Sequence, residues 1–391
     1  MNVKELKKDV YYVGVKNPEL RVFDIIMETK SGTTYNSYLI VDEKIVLVDC
    51  AKDGYFDEFI SNIKSIIGDR QIDYVVVNHT EPDHSGCLGR ILETYTDAVV
   101  YASKSALINI RQIINKDFRG EEAKGELCIG KRTLKFISAP FLHWPDTIFT
   151  YSEYDNILFS CDAFGCHYCD NSIFNDEVGD FSEEFKYYFD VIMGPFKKHV
   201  LSAIEKIKPL KIDIIAPSHG PIHRNNPLKY VELYENWSKP VLNLAAGKNA
   251  AVLYVSAYRY TKMLAQSIAE GLKEAGAEVK IIDVSELDIE KVIEIIDDSK
   301  FIAFGSPTIN QDALKPVWDV LSLTSPIINR GKLAFAFGSY GWSGEAVPMI
   351  EERLKGLKFK IFEEGFKVQF KPTKEDLEKA KNIGKRAGEA I

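Results

Sequence analysis

The chain has 391 residues, of which 46% are hydrophobic and 27% charged, and its formal net charge at pH 7 is −8. A single hydrophobic core stops growing at roughly 250–300 residues, so two domains are expected. Lysines and arginines are scattered through this acidic chain, and no apolar run approaches the roughly 20 residues of a membrane helix, which argues against nucleic-acid and membrane partners. The first residues lack the apolar core of a secretory signal, so we expect a cytoplasmic protein.

The first half of the chain, from about residue 20 to residue 220, reads as short strands joined by turns. The stretch "SYLIVDEKIVLVDC" predicts a hairpin, and "TLKFISAP", "TIFTYSEY" and "NILFSCDAF" predict strands further along. Helical periodicity is present in "FDEFISNIKSII" and in "FSEEFKYYFDVIMGPFKKHVLSAIEKI". The pattern therefore predicts a sandwich of sheets flanked by helices.

The pattern changes near residue 247, within a predicted linker at residues 236–250. From Ala250 onward a buried strand alternates with an amphipathic helix five times, and the strands are "AVLYVSA", "EVKIIDV", "KFIAFGSP", "KLAFAFGS" and "FKVQF". The first four are continuously apolar, as a parallel sheet covered by helices on both faces requires. A doubly wound α/β domain is therefore predicted for the C-terminal part of the chain.

The stretch "VVVNHTEPDHSG" places four potential metal ligands within six residues, directly after an apolar run. They are His79, Glu81, Asp83 and His84. A loop held at the end of a strand can aim several side chains at one point, since its residues are free of the alternation of the pleat. We therefore interpret this stretch as part of a metal site.

Three further candidate ligands each follow an apolar, strand-like segment. His143 follows "TLKFISAPFL", Asp162 follows "NILFSC" and His219 follows "IDIIAPS". Taken alone, a histidine in such a place is more often a packed or capping residue, and an aspartate is usually a helix cap or a turn residue. Four strand ends that each deliver a histidine or an aspartate indicate instead that the segments converge on one metal site.

The spacing of these residues, in "HTEPDH", "HWPD", "SCDAFG" and "SHGP", resembles the metallo-β-lactamase-like fold. Hydrolases of that fold usually carry the pattern HxHxDH, and Glu81 narrows the resemblance to the flavodiiron proteins, the A-type flavoproteins that reduce dioxygen or nitric oxide. The resemblance covers essentially the whole chain. It implies a metallo-β-lactamase-like αββα sandwich with a di-iron centre at residues 1–247, and a flavodoxin-like doubly wound parallel sheet that binds FMN at residues 248–391.

The resemblance also implies a role for each of the seven residues. One iron would be bound by His79, Glu81 and His143, the other by Asp83, His84 and His219, and Asp162 would bridge the two irons. The implied reaction is the reduction of dioxygen to water, of nitric oxide to nitrous oxide, or of both, with electrons delivered through FMN. Trp144 and His167 are candidates for orienting the ligands and shaping the pocket.

Physical chemistry supports iron at this site independently of the resemblance. With Glu81 in place of a histidine, the ligand set carries three negative charges instead of two, which favours the more oxidised cations. A carboxylate is a harder ligand than an imidazole, and mixed histidine and carboxylate sets with open positions suit redox-active iron, whereas zinc does no redox chemistry. Two alternatives remain: a dizinc metallo-hydrolase with an accessory flavodoxin-like domain, and an electron-carrying flavoprotein with a vestigial metal domain.

Three loops of the C-terminal half are predicted to form the FMN site, since ligands of an open parallel sheet bind outside the carboxyl ends of its strands. They are "YRYTKMLA", which opens a helix and offers amides and hydroxyls to a phosphate, "GSPTINQDA" and "GSYGWSGEAV". Arg259 and Tyr260 depart from the flavodoxin-like pattern, in which a small residue and Asn or Ser are commoner. The predicted FMN contacts are Ser256, Tyr258, Thr261, Pro307, Thr308, Asn310, Ser339, Tyr340, Gly341 and Trp342.

The electron donor and the assembly are further expectations. No rubredoxin-like or NAD-binding domain is recognised in the chain, so we expect a separate donor, such as rubredoxin or a reduced deazaflavin. A head-to-tail homodimer, or a dimer of such dimers, would set the flavin of one chain beside the iron of its partner. Cys166 and Cys169 in "CHYC" are interpreted as two unrelated thiols rather than a redox pair or half of a zinc site, since a second half is missing from the sequence.

Overall fold

The computed structural model describes residues 3–24, 27–239 and 247–391. The chain forms two compact units, Met1–Lys239 and Pro240–Ile391. An organisation in two α/β domains is thus confirmed. Residues 240–246 of the predicted linker lie outside the described residues, and the boundary between residues 247 and 248 stays a prediction.

The strands of the N-terminal unit are short, and within the described residues they form two large sheets and two sheets of two strands each. In chain order they are β1 (Lys4–Lys7), β2 (Val10–Tyr12), β3 (Val15–Asn17), β4 (Val22–Phe23), β5 (Met27–Glu28), β6 (Thr33–Tyr35), β7 (Tyr38–Val41), β8 (Ile45–Val48), β9 (Tyr74–Val77), β10 (Val99–Ala102), β11 (Gly120–Glu122), β12 (Glu126–Cys128), β13 (Thr133–Ser138), β14 (Ile148–Ser152), β15 (Ile157–Cys161) and β16 (Ile214–Pro217). One large sheet has the order β1, β2, β7, β8, β9, β10, β11, and the other has the order β12, β13, β14, β15, β16. Strand β3 pairs with β6, and β4 with β5.

The helices of this unit are α1 (Phe56–Ile67), α2 (Pro82–Ser85), α3 (Leu88–Thr94), α4 (Lys104–Ile114), α5 (Ser182–Tyr188), α6 (Lys197–Ile207) and α7 (Leu228–Ser238). Helix α1 covers the whole of the predicted "FDEFISNIKSII". The second predicted helical stretch is interrupted, because a π-helical turn at Phe189–Met193 and a 3₁₀ turn at Gly194–Phe196 separate α5 from α6. Pro195 explains the break, since proline lacks the N–H that a continuous helix would bond.

The two large sheets pack face to face, as the sequence predicted for a sandwich. Strand β8 shows the alternation: Val46 and Val48 belong to the core between the sheets, together with Phe159 of β15. The intervening side chain of Leu47 belongs to the core shared with the helices, which includes Phe59 of α1. Both faces of the central strands are therefore buried, and their ends are held rigidly between two layers.

The C-terminal unit alternates strands and helices. In chain order they are β17 (Asn249–Tyr254), α8 (Tyr260–Glu274), β18 (Glu278–Asp283), α9 (Ile289–Asp298), β19 (Phe301–Gly305), α10 (Lys315–Leu323), β20 (Leu333–Tyr340), α11 (Ala346–Gly356), β21 (Lys360–Ile361), β22 (Phe366–Gln369) and α12 (Lys374–Ala390). The sheet has the order β18, β17, β19, β20, β21, with β22 also pairing with β20, and its strands run parallel. The doubly wound parallel sheet predicted from the sequence is confirmed.

One detail of that prediction is wrong. The second strand, "EVKIIDV", was expected to be buried on both faces, but most side chains of β18 are exposed or only half-buried. The reason is its position at the edge of the sheet, where it pairs with β17 alone. Glu278 and Lys280 lie on this edge, and such charged side chains discourage pairing with another chain.

Helices α8 and α12 pack unusually closely on one face of this sheet. A Cβ atom added to Gly384 of α12 would lie 2.0 Å from the carbonyl oxygen of Ile268 in α8, and one added to Gly271 would lie 1.9 Å from that of Lys381. Such an approach of two backbones requires glycine on both helices. The second half of α8 is therefore held closely against α12.

None of the helices in the described residues combines the length and the apolar character that crossing a membrane requires.

The close contact of α8 and α12 predicts the effect of a single methyl group. Gly384→Ala should lower the free energy of unfolding of the C-terminal unit by about 2 kcal/mol, because the helices must separate to admit the side chain. Gly356→Ala at the end of α11 is the control, since nothing lies within 4 Å of its added Cβ. That change should raise stability by roughly 0.5 kcal/mol through helix propensity. Urea unfolding followed by circular dichroism measures both, and equal stability of the two variants would contradict the packing described.

Candidate metal centre

The seven predicted metal ligands lie together in the N-terminal unit, at the ends of strands from both large sheets. They come from four segments. The stretch after β9 supplies four of them, His79 and Glu81 before α2 and Asp83 and His84 within it, while His143 lies in the loop between β13 and β14, Asp162 directly after β15, and His219 after β16. Their ligand atoms fall into two groups, and within each group all of these atoms lie within 4.8 Å of one another. The convergence that the sequence pattern indicated is therefore present.

The first group consists of His79, Glu81 and His143, joined by one oxygen of Asp162. Glu81 Oε2 lies 2.9 Å from His143 Nε2 and 3.3 Å from His79 Nε2. Asp162 Oδ2 lies 3.6 Å from His79 Nε2 and 3.7 Å from His143 Nε2. Two imidazole nitrogens and two carboxylate oxygens thus face one another at the spacing that a single cation requires.

The second group consists of Asp83, His84 and His219. Asp83 Oδ2 lies 3.0 Å from His219 Nε2, and Asp83 Oδ1 lies 3.4 Å from His84 Nε2. Asp162 reaches this group with its other oxygen, because Oδ1 lies 3.0 Å from His84 Nε2 and 3.6 Å from His219 Nε2. One carboxylate therefore faces both groups, with one oxygen turned to each.

Several of these atoms are buried without a hydrogen-bond partner in the part of the chain that the structure describes. They are both carboxylate oxygens of Asp83, both of Asp162 and Nε2 of His84. Nitrogen and oxygen atoms approach to 3.0 Å here, yet they do not pair as donor and acceptor. Buried polar groups left unpaired are costly, so this donor set fits two metal ions that accept the lone pairs.

The charges of the site also call for cations. Burial alone would lower the pKa of His84, but the nearby carboxylates of Asp83 and Asp162 raise it to about 10. Burial would likewise lower the pKa of His79, and hydrogen bonds to Asp146 and Glu81 hold it well above its usual value. Without metal the site thus draws protons onto its imidazoles, and metal ions would take the place of those protons.

The two groups differ in their access to solvent. The side chains of Glu81 and His143 are 13% and 16% exposed, and the other five ligands are almost fully buried. The mouth of the site therefore lies at the first group. Asp24 lies beside this mouth, and burial together with the neighbouring Glu81 raises the pKa of its carboxyl group.

Asp146 holds His79 and was not singled out from the sequence. Its Oδ1 lies 3.2 Å from His79 Nδ1, and its Oδ2 accepts hydrogen bonds from the backbone N–H and the hydroxyl of Thr80 at 2.9 and 2.7 Å. A carboxylate on the far nitrogen orients a metal-binding histidine and leaves Nε2 free for the metal. The signal was present in "HWPD", where the aspartate follows His143 by three residues.

Backbone and polar contacts hold the other ligand segments. His219 Nδ1 donates to the carbonyl oxygen of Thr34 at 2.6 Å, which also leaves Nε2 free. Asn78, next to His79, donates from its backbone and side-chain nitrogens to Asp49 at 2.7 and 2.9 Å, and accepts from the hydroxyl of Thr150 at 2.7 Å. Asp49 follows β8 of one large sheet and Thr150 lies in β14 of the other, so Asn78 ties the two sheets together beside the ligands.

Trp144 and His167, predicted from the sequence to orient the ligands and shape the pocket, both lie beside them, and the two cysteines of "CHYC" lie nearby in the chain. The rings of Trp144 and His79 meet edge to face at 5.0 Å between centroids. His167 is buried beside His219, at 4.9 Å between ring centroids, and burial together with His219 lowers its pKa well below the usual value. Cys166 and Cys169 are free thiols, of which Cys166 is fully buried.

The predicted flavin loops follow β17, β19 and β20 at the carboxyl edge of the C-terminal sheet. Thr261 Oγ1 lies 2.9 Å from Ser339 Oγ, and the backbone N–H of Thr308 donates to the carbonyl oxygen of Ser339 at 2.9 Å. The hydroxyl of Ser256 accepts from the backbone N–H of Lys262 at 3.3 Å at the start of α8. The structure thus brings the three loops together.

The aromatic and backbone features of these loops suit a flat ligand. The side chains of Tyr258 and Trp342 are 79% and 86% exposed, which is unusual for residues so apolar and leaves them able to cover a ring. Asn310 and Arg259 have positive φ angles of 54° and 65°, uncommon for residues other than glycine and frequent where a loop is shaped for a ligand. Pro307 is buried, and Tyr340 and Gly341 are half-buried.

Known proteins show the same two parts. Residues 33–220 match the family model described as ODP family beta lactamase, and residues 252–384 match the flavodoxin model. A flavo-diiron protein of Clostridium acetobutylicum, FprA2, is 40% identical over 398 residues, covering 99% of this chain and 99% of that protein. The chain belongs to the flavodiiron proteins. The resemblance read from Glu81 and the seven ligand positions is therefore confirmed.

Two further flavodiiron relatives carry names that describe an activity. A nitric oxide reductase of Moorella thermoacetica is 36% identical, covering 98% of this chain and 97% of that protein. The solved structure of the rubredoxin oxygen:oxidoreductase of Desulfovibrio gigas has a TM-score of 0.70 at 28% identity, covering 99% of this chain and 98% of that one. Both likenesses extend over the two units, so the whole chain shares their organisation.

The contact between Asp146 and His79 predicts a loss of metal affinity when the carboxylate is removed. Asp146→Asn should weaken metal binding by roughly 10- to 100-fold, because His79 loses the partner that fixes its ring and tautomer. Competition with a ferrous chelator measures the affinity. Asp57→Asn is the control, since that side chain is 92% exposed and lies in α1. Equal iron retention by both variants would show that Asp146 does not support the site.

Proposed function

We propose that this flavodiiron protein is an oxidoreductase that reduces dioxygen to water, nitric oxide to nitrous oxide, or both, at a non-haem di-iron centre supplied with electrons through FMN. The observation that carries the proposal is the arrangement of Asp162, whose two oxygens face two separate sets of histidine and carboxylate ligands. One set contains Glu81 where hydrolases of this fold usually carry histidine. The dizinc hydrolase considered from the sequence is not supported, because the relatives are named for redox reactions.

The ligand roles are part of the proposal. His79, Glu81 and His143 would bind one iron, Asp83, His84 and His219 would bind the other, and Asp162 would be shared between them. With neutral imidazoles, the three carboxylates balance two ferrous ions and one hydroxide, which makes a site without net charge. A neutral site is tolerable at this degree of burial, whereas an uncompensated charge would be costly.

When bound, the di-iron centre and FMN together supply the electrons that reduction of a diatomic gas requires. The protein's own residues do the positioning. Asp146 and the carbonyl oxygen of Thr34 hold His79 and His219 with Nε2 directed to the metal. The deep burial of the other ligands excludes water on every side but the mouth beside Glu81 and His143. A small gas can reach the ligands from that side.

The FMN contacts are proposed on the three loops at the carboxyl edge of the C-terminal sheet. Ser256 and Thr261, at the start of α8, would hold the phosphate with the helix amides. The ring would lie against the backbone and aromatic side chains of the other loops. The residues proposed there are Tyr258, Pro307, Thr308, Asn310, Ser339, Tyr340, Gly341 and Trp342.

Electrons would reach FMN from a separate donor, either a rubredoxin or a small reduced carrier such as a deazaflavin. The name of the Desulfovibrio gigas relative includes rubredoxin, which supports the first of these. We also propose a head-to-tail homodimer, alone or paired as a dimer of dimers, in which electrons pass from the FMN of one chain to the iron of the other.

The activity is tested with the iron-loaded, FMN-loaded protein, reduced anaerobically and mixed with dioxygen or nitric oxide in a stopped-flow instrument. Reoxidation of the flavin by at least one gas, with about two irons bound per chain, is expected. Protein that binds zinc stoichiometrically under iron-replete conditions, cleaves esters and shows no redox turnover would refute the proposal.

Removal of the shared anion gives a sharper version of this test. In Asp162→Asn the side chain keeps its size but loses its charge, so the two cations repel each other with less compensation. One of the two irons should be lost or weakly held, and gas reduction should fall with it. The iron content per chain, measured after dialysis, tests this prediction. Iron content and turnover equal to those of the wild type would exclude Asp162 from the site.

Electron transfer between chains predicts that two inactive variants rescue each other. One variant loses iron through His79→Ala with His84→Ala, and the other loses flavin through Ser256→Ala, Thr261→Val and Trp342→Ala. Half of the dimers formed at random are mixed, and each mixed dimer has one working flavin and iron pair of two, so co-expression should restore about a quarter of wild-type turnover. The control is that the first variant keeps its FMN and the second keeps its iron. If mixed dimers of this kind show only background activity, electrons pass within a chain instead.

A further inference from the structure

His167 is a buried imidazole beside the metal centre that belongs to neither ligand group. Its side chain lies among the rings of Phe23, Tyr188 and His219, at centroid distances of 4.3, 5.0 and 4.9 Å. The residue is only 4% exposed. One of its ring nitrogens, Nε2, has no hydrogen-bond partner among the described residues. A buried polar atom without a partner is costly to the fold, so this nitrogen needs an explanation.

Thr33 determines which nitrogen of His167 carries the proton. Its hydroxyl oxygen lies 2.9 Å from His167 Nδ1, whereas its distance to the carbonyl oxygen of Thr34, 3.4 Å, is too long for a well-formed O–H···O bond. If the hydroxyl accepted from Nδ1–H, its own proton would have no good acceptor. If it donates to Nδ1, that proton is satisfied. The second arrangement leaves fewer groups unpaired, and the neutral ring then carries its proton on Nε2.

The same hydroxyl oxygen connects His167 to the second ligand group. Thr33 Oγ1 also lies 3.5 Å from Nδ1 of His219, so both rings turn their Nδ1 edge toward one atom. In an imidazole Nε2 lies on the side of the ring away from Nδ1. His219 directs its Nε2 to Asp83 and Asp162 in the second ligand group. The Nε2–H of His167 is thus turned away from Thr33, on a ring whose centroid lies 4.9 Å from that of His219.

We propose that His167 Nε2–H donates a hydrogen bond to the diatomic molecule that binds at the metal centre. The inference rests on the proposed function, and it adds a substrate-binding donor that is not a metal ligand. The partner that Nε2 lacks among the described residues is then the substrate. A donor at this place becomes more favourable as electrons enter the diatomic molecule, because negative charge develops on its atoms.

The test uses the iron-loaded protein and azide, a small anion that accepts hydrogen bonds. His167→Phe keeps an aromatic ring and removes the donor, so the dissociation constant of azide should rise roughly fivefold, as expected for the loss of one net hydrogen bond. The infrared stretch of bound azide should shift between H₂O and D₂O in the wild type and not in this variant. The iron content should stay at the wild-type value, since His167 is not a ligand.

Matched variants separate hydrogen bonding from packing. His167→Gln keeps an N–H donor and should bind azide within about twofold of the wild type. Thr33→Val removes the hydroxyl that sets the tautomer and should weaken azide binding as His167→Phe does, whereas Thr33→Ser should not. If one variant fails to fold, the other pair still decides between the two roles.

The possible failures are distinguishable. Wild-type protein without iron, and therefore without an azide band, would refute the proposed function and this inference with it. Iron-loaded variants that all bind azide equally and show the same isotope shift would overturn the role of His167 alone. A loss of affinity in His167→Gln equal to that in His167→Phe would also overturn it, because packing would then explain the effect.

Discussion

Three carboxylates set the conditions for the rest of the N-terminal unit: Asp83 and Asp162 are buried, and Glu81 is 13% exposed. Negative charges this close repel one another, and at this burial water does little to screen them. The raised pKa of His84 and His79 shows how strongly the site attracts positive charge. A flexible loop would relieve the repulsion by moving apart. Only segments fixed at strand ends can keep such a set in place until metal ions bind.

The sandwich provides that rigidity through polar contacts that cross between its sheets. Asn78 bonds to Asp49 in one sheet and Thr150 in the other, immediately beside the first ligand of the chain. Asp146 closes a second connection by holding both His79 and Thr80. Burying polar groups in a hydrophobic core costs free energy unless each one has a hydrogen-bond partner. They are retained beside the ligands because each one holds a ligand-bearing segment in position.

The sequence was sufficient to predict which seven side chains converge, because each of their four segments follows a conspicuously apolar run. It was insufficient where the function of a residue depends on a contact between distant segments. The carbonyl oxygen of Thr34 orients His219 across the fold, and a backbone carbonyl leaves no mark in the residue type. The exposure of β18 follows from the order of strands in the sheet, which hydrophobicity does not encode. Asp146 had a visible signal, but its partner His79 precedes it by 67 residues.

The two ligand groups are chemically alike but placed differently, and this asymmetry has a consequence for how a gas is bound. Glu81 and His143 border the mouth, whereas the second group is closed off by protein. Asp162 joins the two groups, with one oxygen turned to each. His167 lies beside His219 of that second group. The open end thus admits the gas, and beside the closed end lies His167, a neutral donor that is not a metal ligand and whose Nε2 is unpaired within the described residues.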